Sequence, residues 1–216
     1  MKRAAIGIRM HSGWGALVAA SGEGAMLDII ERQRIIMADP NICGASQPYH
    51  FAAEMPLPEA KKHISNCANR SERMAVTAIQ TVVGELHSRE YRVVGSAVLL
   101  ASGRPLPILA EILASHPLIH TAEGEFFRTV FWKACENLDV PVTGIRERDL
   151  DESAQAVFGK ASPEIWRRIS SMKSSLGSPW TEDQKKASLA ASIVLAACGG
   201  RVQLSGARPS LTIDSV

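Results

Sequence analysis

Arg92–Ala101 (RVVGSAVLLA) is a run of strand length in which every residue after the arginine is apolar or small. A strand with apolar side chains on both faces must be covered on both, as in the middle of a sheet with helices above and below. The chain supplies such covers. A helix is expected from about Pro58 to His87, with Ile64, Ala68, Ala75, Ile79, Val82 and Leu86 along one stripe. Another is expected from Thr121, its capping residue, to about Leu138, with Phe127, Val130, Phe131, Ala134 and Cys135 facing inward.

The first forty residues read differently. Ala5–Met10 alternates, with Ile6, Ile8 and Met10 on one face and Gly7, Arg9 and His11 on the other. Gly13 and Gly15 bracket a turn at Trp14, Ala16–Ala20 continues as a second strand, and Ser21–Gly24 is a glycine-rich hairpin connection. Met26–Met37 forms a third strand, bent near Glu31. Asp39–Pro58, with four prolines and no period, is a long crossing loop, a kind often functional. After the Arg92–Ala101 strand come a short helix to about Ser115, the helix from Thr121, and a fifth strand over Val140–Arg146.

The remaining elements are helical. Asp149 and Glu152 form a capping-box pattern for a helix closed by Gly159, and Ser162–Pro163 opens a helix ended by Gly177. Thr181 and Gln184 form a second capping box, leading into Ala187–Cys198. The order β-β-β-α-β-α-β-α calls for a mixed sheet, an antiparallel meander followed by β-α units, with helices on both faces. Residues 1–198 read as one α/β domain and 199–216 as a polar, poorly ordered tail.

Composition excludes several classes. Hydrophobic residues at 46% and charged residues at 21% are globular usage, and a net charge of +2 leaves nucleic-acid binding to a local patch. Arg9 interrupts the N-terminal apolar run before a signal peptide is complete, and Ala187–Cys198 is too short to cross a bilayer, so a cytoplasmic protein without a membrane partner is expected. Cys43, Cys67, Cys135 and Cys198 are scattered and read as free thiols. Gly13-x-Gly15 and Gly22-x-Gly24 lack the rest of a dinucleotide fingerprint, and Ala154 stands where a phosphate loop before Gly159-Lys160 needs its first glycine.

This element order resembles the ribonuclease H-like proteins, and the local likeness is to Holliday-junction resolvases of the RuvC type. Ile6–Gly15 is similar to their opening strand and glycine turn, Met26–Met37 to their third strand, and Trp180–Ala197 to their last helix. The resemblance implies a carboxylate cluster holding two divalent metals, because hard cations take oxygen ligands. It also marks departures. Arg9 stands where the first-strand aspartate is expected, Leu99–Arg104 contains no acid where a glutamate is expected, and Lys186 takes a second acidic position, while Asp183 matches one acid. The scaffold carries over, and two-metal nuclease activity does not.

Three readings follow. In the first, a degenerate ribonuclease H-like protein binds nucleic acid or another anionic partner through Arg9, His11, His120, Glu123, Arg128 and Lys186, with no cofactor and no bound metal. Arginine suits phosphate because its planar fork bonds two oxygens; the bland alternative pairs Arg9 with Asp183 or Glu182. In the second, Asp183, Glu123 and Glu125 form a rearranged acidic site that uses Mg²⁺, with His11 or His120 assisting. The third is a structural or homodimerising module. His116, His120 and Glu123 hint at a metal, but Pro117 argues against a shared helix face, and Glu123 and Glu125 then simply complement a helix N-terminus. His11-Ser12 lacks the geometry of a nucleophile pair. Trp132, off its helix's stripe, is a candidate partner contact, and Trp14, Trp166 and Trp180 are packing anchors.

Overall fold

A computed structural model describes residues 1–101, 105–199 and 207–211. Five strands, β1 (Lys2–His11), β2 (Trp14–Ser21), β3 (Asp28–Ile36), β4 (Tyr91–Leu100) and β5 (Val142–Arg146), form one sheet in the order β3-β2-β1-β4-β5. β1, β2 and β3 pair antiparallel, while β4 runs parallel to β1 and β5 parallel to β4. That order with those directions is the ribonuclease H-like fold. Gly13, at φ 81°, makes the β1–β2 turn, a backbone region that glycine enters without steric cost. Ile30 is an extra residue in β3, where the pairing jumps from Ala19–Glu31 to Ala20–Ile29, so the expected bend falls beside Glu31.

Helices cover both faces. On one lie α1 (Pro48–Ala52), α2 (Leu57–Ser88), α3 (Leu109–Leu113) and α4 (His116–Asn137), packed over Ile6, Ile8, Leu17, Ile35 and Val98. On the other lie α5 (Leu150–Phe158), α6 (Ser162–Ser171), the single turn α7 (Lys173–Leu176) and α8 (Glu182–Ala197), packed over Ala5, Val18, Ala97 and Leu99. The alternation in β1 therefore sorts its side chains as expected, with Arg9 on the α8 side. α8 lies directly on β1 because position 7 has no side chain: a Cβ there would stand 1.9 Å from the Ala187 carbonyl oxygen. The Thr181–Gln184 capping box forms as expected and starts α8. Arg32 of β3 donates to the carbonyls of Leu176, Gly177 and Pro179, fixing the approach to that helix. No helix of the described residues is long and apolar enough to cross a membrane.

Several expectations are corrected. The third strand begins at Asp28, because Gly24–Met26 forms a 3₁₀ turn. The crossing loop contains α1 and is anchored to α2 by Arg70 on the buried Asp39, which also accepts from the Asn41 backbone and side-chain amides. Asp149 makes no side-chain cap to α5. α4 starts five residues before Thr121, since Pro117 falls in its first turn, where the missing N–H costs nothing. His116 and His120 consequently share a face, and Glu123 and Glu125 lie well inside the helix.

The tail reading also changes. Ala207 bridges to Gly144, Leu211 is buried, Thr129 donates to the Leu211 carbonyl, and Ser210 donates through its amide and hydroxyl to Glu125. Residues 200–206 and 212–216 of that expected tail lie outside the described residues. Trp132 is buried, donates to Glu136, and lies under the Arg208 guanidinium, so its own chain covers the ring proposed as a partner contact.

Candidate functional site

The parallel strands β1, β4 and β5 end on one edge of the sheet, and the first residue beyond β5 is Glu147. Its carboxylate faces Arg9 in a two-point pair, Nε to Oε2 at 3.0 Å and Nη2 to Oε1 at 3.1 Å. The third guanidinium nitrogen, Nη1, donates to Asp183 in the first turn of α8. Lys186, one turn further along α8, donates to Glu147 Oε1, and His11 Nε2 lies 3.1 Å from Asp183 Oδ2. Close packing of α8 on Gly7 brings Asp183 and Lys186 within reach of Arg9.

The electrostatics follow from this lattice. Burial opposes the charge on Arg9, but hydrogen bonds and the field from Glu147 and Asp183 outweigh it and raise its pKa. Burial likewise pushes Glu147 upward, and its bonds to Arg9 and Lys186 together overcome that and hold it below the ordinary carboxylate range. A third cation completes the edge. Arg128 of α4 donates from Nε to the Leu99 carbonyl at 3.1 Å and pairs with Glu125 at 3.1 Å. Its pKa is drawn down by burial against the pull of Glu125, and it senses both Glu147 and Arg9. Arg9, Arg128 and Lys186 thus stand at the end of β1, beside the end of β4 and in the first turns of α8.

Beside this lattice is an aromatic tier. His11 stacks on Trp14 with ring centroids 4.3 Å apart and an interplanar angle of 11°. The exposed Arg34 of β3 covers the Trp14 ring at 3.9 Å. Among the described residues Arg34 has no ion pair, so its charge remains available beside the ring.

Of the residues singled out in the sequence, Arg9, His11, Arg128, Asp183 and Lys186 come together here. His120 and Glu123 do not: they join His50 on the α1–α4 side of the sheet. Glu125 is engaged by Arg128 and Ser210. Asp183, the one matching acid, is committed to Arg9 and His11 rather than to a set of carboxylates. Glu147, Trp14 and Arg34 were missed as site residues. The available signal was positional: Glu147 is the first acid after the fifth strand, on the edge where β1 and β4 also end. A cavity of about 320 Å³ bordered by Leu27, Phe158, Ile165 and Ser192 is separate from this edge and carries no comparable set of charged groups.

No family model and no curated protein sequence matches the chain. Among solved structures it is similar to Thermus thermophilus RuvC, with 15% identity, 91% of this chain and 96% of that chain covered, and a TM-score of 0.44. It is also similar to T. thermophilus RuvC in complex with Holliday junction substrate, with 14% identity, 91% and 95% covered, and a TM-score of 0.47. The fold itself is read from the strand order and directions.

Proposed function

We propose that this chain is a non-catalytic ribonuclease H-like protein that binds nucleic acid along the β1–β2 edge. The observation that carries the proposal is Arg9, whose guanidinium is shared between Glu147 and Asp183. A divalent ion needs carboxylate oxygens free to coordinate it, and here Arg9 and Lys186 use them. The His11–Trp14–Arg34 tier supports the binding half of the reading. Displacement of the exposed Arg34 from the Trp14 ring would let that ring stack a base of any sequence, with the freed guanidinium meeting the backbone phosphate. The two tiers divide the labour, one keeping the edge rigid and metal-free, the other presenting stacking and charge.

The test is fluorescence anisotropy of single-stranded, duplex and four-way-junction DNA against salt concentration. Affinity should fall as salt rises, because binding releases counterions from the phosphates. Trp14→Ala should weaken binding by about 1–3 kcal/mol, the usual worth of one stacked base. Arg34→Ala should weaken it and lower the salt slope by about one contact. Absence of salt-sensitive binding to all three DNAs removes the nucleic-acid reading and leaves a protein partner or a structural module.

A further inference from the structure

On the opposite side of the sheet, His50 of α1 and His116 and His120 of α4 converge, with one ring nitrogen from each within 4.8 Å of the others. Their rings meet edge to face, with centroids 5.5 Å apart for His50–His116, 4.7 Å for His50–His120 and 4.4 Å for His116–His120. The geometry points to a transition-metal site of the zinc class, built from these three imidazoles and supported from behind by Glu123.

Three neutral nitrogens around one point match zinc chemistry, in which three histidines leave a fourth position for water or another ligand. Metal–nitrogen bonds of about 2.0–2.1 Å place ligating nitrogens about 3.4 Å apart in a tetrahedron, so the trio must close by about an ångström. His116 and His120 are exposed and free to make that movement, one helical turn apart on the same face. His50 is the less mobile member because its Nδ1 faces Glu123 Oε1 at 3.3 Å. That contact leaves Nε2 as its ligand atom and is the carboxylate–histidine arrangement that fixes a metal-binding imidazole.

A second observation is independent of the histidines. Glu123 is only 3% exposed, has no arginine or lysine partner among the described residues, and its Oε2 is buried without any hydrogen bond. Its other oxygen accepts from the backbone amides of Tyr49 at 2.7 Å and His50 at 2.9 Å. A buried carboxylate normally has a cationic partner. Among the described residues the other two buried acids each have one: Asp39 has Arg70, and Glu125 has Arg128. A dication on the adjacent imidazoles supplies the missing positive charge. A groove of about 480 Å³ beside His50, bordered also by Gln47, Phe51 and Glu54, gives an ion a route in.

The site belongs to the crossing loop and α4 and shares no residue with the Arg9 edge, so it stands or falls separately from nucleic-acid binding. The experiment uses untagged full-length protein titrated with Zn²⁺ against a chromophoric chelator, and with Co²⁺ followed by visible absorption. One equivalent of Zn²⁺ should bind with Kd at or below about 1 μM, a free energy near −8 kcal/mol, and Co²⁺ should give the intense bands of a tetrahedral site. His116→Ala and His120→Ala should each weaken binding by more than about 100-fold, and Glu123→Gln by about 10–100-fold, as for other outer-shell partners. His87→Ala should leave it unchanged. Both surface histidine variants lie on an exposed helix face, so the result does not depend on a disrupted core. Affinity unchanged in His116→Ala and His120→Ala, or abolished by Cys43→Ser or Cys198→Ser, identifies a thiol site and overturns the proposal. So does Co²⁺ absorption with only the weak bands of a hydrated ion.

Discussion

Two polar clusters of this protein manage their carboxylates in opposite ways. At the β1 edge, Glu147 and Asp183 are paired with Arg9 and Lys186. Between α1 and α4, Glu123 has no such cation and relies on two backbone amides and an imidazole. Burial raises its pKa to about 7, against the opposing pull of those two amides. The same residue type is silenced in one place and left poised in the other. The difference is whether an arginine or lysine reaches it.

Gly7→Ala should break the comparison most severely. Its Cβ would meet the Ala187 carbonyl oxygen, lifting α8 and pulling Asp183 and Lys186 away from Arg9. A loss of about 3 kcal/mol is expected from such overpacking, read from urea midpoints at constant slope. Zn²⁺ binding by whatever remains folded should persist, because α1 and α4 lie on the other face. Arg9→Ala comes next. It leaves Glu147 with Lys186 alone and Asp183 with His11 alone, costing about 2 kcal/mol, less than for a fully buried pair because solvent reaches the group.

Much of the scaffold is legible in the sequence. The period-two pattern of Ile6, Ile8 and Met10, the apolar Arg92–Ala101 run and the Thr181 capping box each have one local physical solution, and they recur in the structure. The Arg9–Asp183 pair was legible too, as the bland alternative to an anion site. Glu147 was not, because its role depends on a register between β5 and β1 that no local pattern encodes. His50 is 66 positions before His116, inside a loop without a period. Pro117 then concealed the remaining pair, since a proline reads as a helix break until its place in the first turn is known. Ser210 and Leu211 return to α4 through a few hydrogen bonds to Glu125 and Thr129, which composition alone cannot distinguish from a loose tail.

Smaller changes sharpen the contrast. Glu123→Ala leaves the Tyr49 and His50 amides unsatisfied and should cost about 1–3 kcal/mol, with faster hydrogen exchange confined to α1. Glu123→Gln keeps the acceptor and should be close to neutral in stability while still weakening Zn²⁺. The smallest effect is in pH. Glu147 is held below the usual carboxylate range in the folded state. Its contribution is therefore present above the unfolded value of about 4.3 and disappears as pH falls through the lower folded value. Urea midpoints between pH 6 and pH 3 should decline less for Glu147→Gln than for the unaltered chain.

The most direct test of the central claim is incubation of the purified chain with labelled four-way-junction DNA and Mn²⁺, with binding and cleavage followed in the same samples. The Arg9 lattice predicts salt-sensitive binding with no cleavage above the protein-free background, at any Mn²⁺ concentration. Mn²⁺-dependent cleavage that disappears in Asp183→Asn would contradict it, because it would mean that the paired carboxylates still hold a metal.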